Sequence, residues 1–248
     1  MEGIEKKGPV PIYHQLQEII LRHVSTDEWS AGEAIPSERE LSDHYGVSRM
    51  TVRHALSDLA RQGVLRREIG KGTFVVGPRI TQTLDALTGF SAEMWARGRV
   101  PKTRVVSLMS RAAGHTVADA LRIDPTQEVV IVERLRLADE DVVALECSHL
   151  WFTGCEGLLQ DDLTGSLYAL LTGRYGVIPT RARQVIGAGP SGHREGQLLS
   201  IPQGTAVLLL KRTVLEQNQR PFEYVESVYR ADRYAFVAEL VHAPAQSG

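Results

Sequence analysis

Two cysteines, Cys147 and Cys155, are all that this 248-residue chain contains. They cannot build a disulfide framework, and their spacing fits neither a C-x-x-C redox pair nor a zinc knuckle. The eight histidines include no H-x-x-x-H pair and none clusters with a cysteine, so neither metal nor cofactor is expected. No apolar run approaches the roughly 18 residues of a membrane span. The N-terminal MEGIEKKGPV lacks the apolar core of a signal peptide, and a soluble cytoplasmic protein with no membrane partner is expected. Excess charge of one sign is missing too: 28 Lys and Arg face 30 Asp and Glu, which excludes a generally basic nucleic-acid coat. What is present is ordinary for a globular protein, 43% hydrophobic and 23% charged. At roughly 100–200 residues per domain, the length suits two domains.

The near-neutral total conceals an uneven distribution. Residues 1–47 hold four Lys and Arg against nine Asp and Glu, whereas residues 48–79 hold seven against two. Around that basic block the helical signals are orderly. Pro11 suits a helix start, and Tyr13, Leu16, Ile19, Ile20 and Val24 follow at helical spacing. Ser37 and Glu40 form a capping box, and Gly46 is placed to end the short helix that follows. Ser48 caps a third helix with Val52, Ala55, Leu56 and Leu59 facing inward, which leaves Arg49, Thr51 and Arg53 outside near its start. This is the helix-turn-helix design, in which the start of the second helix reaches base edges in the major groove. The arginine fork suits guanine O6 and N7. Val64–Glu68 and Thr73–Val76 then read as a hairpin with Gly70, Lys71 and Gly72 at its tip, a wing whose glycines permit close approach to DNA.

The C-terminal two thirds mixes strand hairpins (Val129–Leu137 with Val142–Ser148, and Val207–Leu215 with Tyr224–Tyr229) with short helices at Leu167–Leu171 and Arg194–Leu199. That pattern argues α+β. Arg134 and Arg136, two apart in an apolar strand, point to one face beside Val130 and Val132, and two buried arginines require counter-anions. Glu223 and Tyr229 share parity on their own strand, and Ser166 stands at a helix N-cap, a favourable place for an anion. On pattern alone, two readings stay open. The arginines either pair with internal glutamates or, with Ser166, hold a phosphate while Glu146, Glu223 and Tyr229 meet hydroxyl or amine groups.

Two enzyme motifs are weighed and set aside. Gly187-x-Gly189-x-x-Gly192 is a formal dinucleotide fingerprint, but the helix after it is too short for a βαβ crossover. Nothing around Ser191 forms a nucleophile elbow, so no catalytic residue is expected.

The run from PIYHQLQEIILRHV to GKGTFV (residues 9–76) resembles the winged-helix domain of the GntR superfamily of bacterial transcription regulators. That resemblance implies that Arg39 and Arg49 contact guanines, that Ser37, Ser48, Thr51 and Arg53 contact phosphates or flanking bases, and that Gly70-Lys71-Gly72 enters the minor groove. Residues 84–236, with LTGFSAEMWARG, RLRLAD, SLYALLTGRYG and PFEYVESVYRADRYAF, resemble the chorismate-lyase-like UTRA effector domain of the HutC subfamily. Ala231 departs from the glycine usual in its R-G-D-R-Y stretch. Within the subfamily the sequence is similar to repressors of N-acetylglucosamine utilisation. This implies a phosphorylated amino sugar as effector, held at its phosphate by Arg134, Arg136 and Ser166 with Phe90 and Ser91, and around its ring by Glu146, Tyr168, Glu223 and Tyr229. The expectation is a homodimeric repressor on a palindromic double-stranded operator, with a winged helix-turn-helix domain (1–77), a linker (78–83) and an α+β effector domain (84–248). The alternatives are another small anionic effector, or a chorismate-lyase-like enzyme tethered to DNA.

Overall fold

Local signals in the first third translate directly into helices. In the computed structural model, which describes residues 4–6, 8–26, 28–30, 32–68, 70–76 and 79–240, α1 spans Ile12–Ser25 behind Pro11, α2 spans Glu38–Tyr45 and α3 spans Arg49–Arg61. Both halves of the Ser37/Glu40 capping box form, and Gly46 ends α2 in the left-handed region at φ 63°. Leu16, Ile20, Leu41, Val52, Leu56 and Leu59 close a small core between the three helices. The wing is the antiparallel pair β1 (Leu65–Glu68) and β2 (Gly72–Val75), and the inner end of each strand, Leu65 and Val75, joins that core. Ile69, at the wing tip, lies outside the described residues.

The chain divides into two units, Met1–Arg79 and Ile80–Gly248. This corrects the linker expected at 78–83. Ile80–Thr83 is a strand, β3, paired in parallel with β10 (Tyr234–Val237) at the other end of the second unit. Ile80 and Gln82 alternate inward, and Gln82 Oε1 accepts a hydrogen bond from the buried Tyr234 hydroxyl at 3.2 Å. Small polar composition looked like linker, yet period-2 burial is a strand property that a four-residue polar segment shows only once its partner is present. Gly77 and Pro78 lie outside the described residues.

The second unit is built on six antiparallel strands in the order β4-β5-β6-β9-β8-β7: β4 Pro101–Ala112, β5 Glu128–Ala138, β6 Asp141–Leu150, β7 Pro179–Pro190, β8 Ala206–Glu216 and β9 Pro221–Arg230. The turn Asp139-Glu140 joins β5 to β6, with Asp139 at φ 57°, a conformation aspartate tolerates better than most residues. Helices cover both faces. On one, α5 (Gly114–Leu121) packs on Val129 and Ile131, and α7 (His193–Leu199) sets Leu199 against Leu135 and Leu145. On the other, α4 (Phe90–Ala96) packs on Ala144 and Tyr229, while α6 (Leu167–Leu170) and the π-helical turn Leu171–Tyr175 continuing it pack on Val130, Val132 and Phe222. Burial on both faces explains why β5 reads as one apolar run. Among the described residues no helix is long and apolar enough to cross a membrane.

Gly187 and Gly189 lie inside edge strand β7, and Gly192 precedes the seven-residue α7. The glycine motif therefore belongs to a strand and a short helix start, not to a βαβ crossover.

Candidate functional site

The start of α3 is held by Ser48, whose Oγ accepts the Thr51 N–H at 3.1 Å and lies 2.8 Å from Thr51 Oγ1. Arg49 projects into solvent and, among the described residues, has no ion-pair partner. Arg53 differs: Glu38 of α2 accepts its Nη2 at 3.0 Å and also accepts Arg67 of β1 at 2.7 Å. The Arg53 hydrogen bond and the two arginine charges outweigh burial and hold the Glu38 carboxyl below its ordinary range. One carboxylate thus ties reading helix, scaffold helix and wing together. Arg39 is highly exposed, with Asp43 no nearer than 3.7 Å. At the wing tip Gly70 and Gly72 both have positive φ, 75° and 129°, and Lys71 reaches back to Glu68 at 3.4 Å. Two residues escaped the sequence reading. Met50, 69% exposed beside Arg49, can meet a thymine methyl, and Arg67 had registered only as part of the basic block.

In the second unit, strand register assembles a polar floor. Arg134 stands opposite Glu146, Glu146 opposite Ser227, and Ser227 opposite Leu210, a row across β5, β6, β9 and β8. One pleat further along, Arg136, Ala144 and Tyr229 form the next row. Over this floor α4 places Phe90 and Ser91, with the Arg136 guanidinium 5.1 Å from the Phe90 ring centre, and the start of α6 places Ser166 and Tyr168. All nine residues expected around an effector line this one cleft: Phe90, Ser91, Arg134, Arg136, Glu146, Ser166, Tyr168, Glu223 and Tyr229.

Of the two readings of the arginines, the internal pairing is present in the structure. Glu146 Oε1 accepts from Arg134 and from Arg136 Nη2, the latter at 2.8 Å, so the internal salt bridge exists. It does not use up the donors. Arg136 Nη1 donates to Thr103 Oγ1 at 2.8 Å, whereas Arg134, 1% exposed, keeps Nε and Nη1 buried without a partner among the described residues, and the Ser227 hydroxyl likewise has none there. Unpaired buried donors are costly in a finished core and natural where a ligand completes them. Burial and the Arg136 charge lower the Arg134 pKa to about 10, still protonated at neutral pH. Burial would raise Glu146, but Arg136 and Arg134 outweigh it and bring it down to about 2. Glu223 has the opposite fate: burial, with Glu146 nearby, raises it, and its Oε2 accepts the Tyr168 hydroxyl at 2.9 Å. Ser166 Oγ accepts the Ala169 N–H at 3.3 Å as the cap of α6.

Arg212 is the cleft residue that the sequence reading missed. It lies on β8 between Leu210 and Val214, both buried, the same pattern of a cation on an apolar face that singled out Arg134 and Arg136. Three arginines against two glutamates leave the cleft with one cation in excess, and the carboxyl of Glu223 is the one inclined to neutrality.

The Glu146 shift has a stability consequence with a definite sign. A carboxyl whose folded pKa is depressed stabilises above its unfolded pKa, and that contribution disappears as pH falls through the folded value. Glu146→Gln is therefore expected to lose about 3–5 kcal/mol at neutral pH, since it strands two buried cations. In urea melts the deficit should shrink from about pH 4.5 downward and nearly vanish toward pH 2. A deficit independent of pH would remove the ion pair as its cause.

Comparison with known proteins agrees with both halves. Residues 12–75 match the bacterial regulatory proteins of the gntR family, and residues 96–235 match the UTRA domain. The chain is 37% identical over 236 residues to the HTH-type transcriptional repressor NagR of Bacillus subtilis (95% of this chain, 97% of the relative). It is 32% identical over 240 residues to the HTH-type transcriptional regulator GgaR of Escherichia coli K12 (96% and 94%). Among solved structures, PhnF from Mycobacterium smegmatis superposes with a TM-score of 0.65 at 30% identity, covering 94% of this chain and 99% of that one. These relatives are named as regulators, which sets aside the tethered-lyase alternative. The chain belongs to the gntR family of bacterial regulatory proteins and carries a UTRA domain: it is a transcriptional regulator with an N-terminal DNA-binding helix-turn-helix and a C-terminal domain for a small-molecule effector.

Proposed function

We propose that this regulator is a cytoplasmic repressor that binds a palindromic operator as a homodimer and is released by a phosphorylated amino sugar, glucosamine-6-phosphate or N-acetylglucosamine-6-phosphate. The observation that carries the effector class is the fully buried Arg134 with two donor nitrogens unpaired among the described residues, beside Arg136, Arg212 and the Ser227 hydroxyl, also unpaired there. Such a floor suits a phosphate, and Tyr168, Glu223 and Tyr229 supply partners for hydroxyl and amine groups of a sugar. Two relatives are named repressors, NagR of Bacillus subtilis and the histidine utilization repressor of Pseudomonas putida. A general property of operators supports the dimer: one winged helix reads few base pairs, and two reading heads match half-sites about one helical turn apart.

The cleft is nearly shut, with about 30 Å³ free, room for about two waters. A sugar phosphate must displace part of its lining, and the segments bearing Phe90 and Ser91 or Ser166 and Tyr168 are the roof that can yield. Binding therefore selects an open form, and release from DNA is limited by the effector's preference for that form over the closed one.

Thermal denaturation tests the class. At a concentration of about 100 times Kd, either amino-sugar phosphate should raise Tm by roughly 5–10 °C. Glucosamine without the phosphate should leave it unchanged. An equal shift from glucosamine would exclude the phosphate reading, and a shift from unrelated carboxylates or phosphates alone would favour another anionic effector.

A further inference from the structure

The second unit holds another cavity, larger than the effector cleft. It holds about 660 Å³, within the range of small-molecule sites, and opens at the end of the sheet where β5 begins, β6 ends and the β8–β9 turn passes. Trp151, Phe152 and Tyr175 supply aromatic walls, Phe152 and Tyr175 meeting edge to face at 5.3 Å. Three carboxylates, Glu128, Glu156 and Glu216, line it against one cation, Arg220. None of the three has an ion-pair partner among the described residues; Glu128 only accepts the Ser110 hydroxyl at 3.0 Å. The Arg174 guanidinium already lies 5.6 Å from the Tyr175 ring centre, so Trp151 and Phe152 with the three carboxylates are the groups that suit a protonated amine on an apolar body.

Its position gives this cavity a route to the effector cleft. Val130 and Arg134 share parity on β5, so they face the same side of the sheet, one lining the far cavity and the other the cleft. Pro221 and Glu223 repeat the arrangement on β9. The lining residues are thus roughly 13 Å apart along β5, four residues at about 3.3 Å each, and roughly 7 Å apart along β9, where they are two residues apart. A single helical segment bridges them over the intervening apolar cluster. Its first residues, Leu167 and Tyr168, line the cleft; Leu167 and Leu171 pack in the cluster; Tyr175 lines the far cavity. The second half of that segment is π-helical, a wide and less stable turn often associated with functional sites.

From this we infer that the far cavity is a second ligand site, for an organic ammonium ion with an apolar or aromatic body, and that its occupancy is felt at Ser166–Tyr168 through the Leu167–Tyr175 segment. The site is independent of the effector reading, since neither its chemistry nor its test requires a sugar phosphate.

Phenethylammonium is a suitable probe, with benzoate as the apolar anion control. Phenethylammonium at millimolar concentration should raise Tm and benzoate should not. Glu156→Gln with Glu216→Gln, two changes at the cavity rim, should leave the unliganded protein folded and weaken the ammonium by about tenfold or more. Hydrogen exchange should slow across the whole segment, from Tyr175 back to Ser166–Tyr168. No shift with the ammonium, or an undiminished shift in the double variant, would overturn the site. Binding that protects Tyr175 but leaves Ser166–Tyr168 unchanged would overturn the link.

Discussion

Arg49→Ala is expected to abolish selective operator binding while leaving the fold intact. A bidentate arginine–guanine contact is worth about 1–3 kcal/mol of discrimination, and a dimer makes it twice. The loss is then about 2–6 kcal/mol, between about 30-fold and 20,000-fold in affinity. Stability should move by no more than about 0.5 kcal/mol, because Arg49 is exposed and has no ion-pair partner among the described residues. The measurement is a titration of both proteins on a site selected by the wild type from random duplex DNA, beside a scrambled duplex. Retained preference for the selected site would remove Arg49 from recognition. Arg53 makes the instructive contrast. Its guanidinium is committed to Glu38, so any phosphate contact must compete with a carboxylate, and Arg53→Ala disturbs the joint between α2, α3 and the wing as well as the DNA.

The second large effect concerns inducer response. Removing Arg134 alone would be a poor experiment, since it changes the partner balance of a buried carboxylate. Arg134→Gln combined with Glu146→Gln replaces the Arg134–Glu146 pair by two amides and also takes the carboxylate from Arg136, so one buried cation loses its partner instead of the two stranded by Glu146→Gln alone. Arg136 remains, held by Thr103, and the charge-assisted donors of Arg134 are gone. Operator binding should be unchanged in this variant, and affinity for the amino-sugar phosphate should fall by about 2–5 kcal/mol, roughly 30-fold to several thousand-fold. The protein would then stay on DNA at effector concentrations that release the wild type. Normal release would exclude Arg134 as the phosphate anchor.

How much of this was legible beforehand depends on the range of the interactions. The capping box at Ser37 and Glu40, the Ser48 cap and the φ 63° glycine at Gly46 involve groups at most five residues apart, and each formed as the residues imply. The same holds for the shared face of Arg134 and Arg136. Edge strands β4 and β7 were not legible, because Lys102, Arg104, Arg181 and Arg183 interrupt their apolar pattern where one side meets solvent. Arg212 carried the same signal as the two arginines that were identified, but the neighbouring Lys211 and Thr213 break the apolar alternation around it. Glu146 could be placed near the arginines; that it takes both of them while leaving two Arg134 donors free depends on the register of three strands.

The residues by themselves determined the reading head, its cap chemistry, the α+β class of the second unit and six positions of its cleft, Arg134, Arg136, Glu146, Ser166, Glu223 and Tyr229, whereas Phe90, Ser91 and Tyr168 came from the family resemblance alone. The features read from the residues follow from helix caps, turn residues and period-2 alternation, which act within a few residues and hardly depend on the rest of the chain. Only the tertiary structure decided that Ile80–Thr83 is a strand beside Tyr234–Val237, that Arg212 and Ser227 complete the cleft, and that one helical segment joins the cleft to a second cavity. Those facts rest on pairings between positions up to about 150 residues apart, where register, not local preference, chooses which side chains meet.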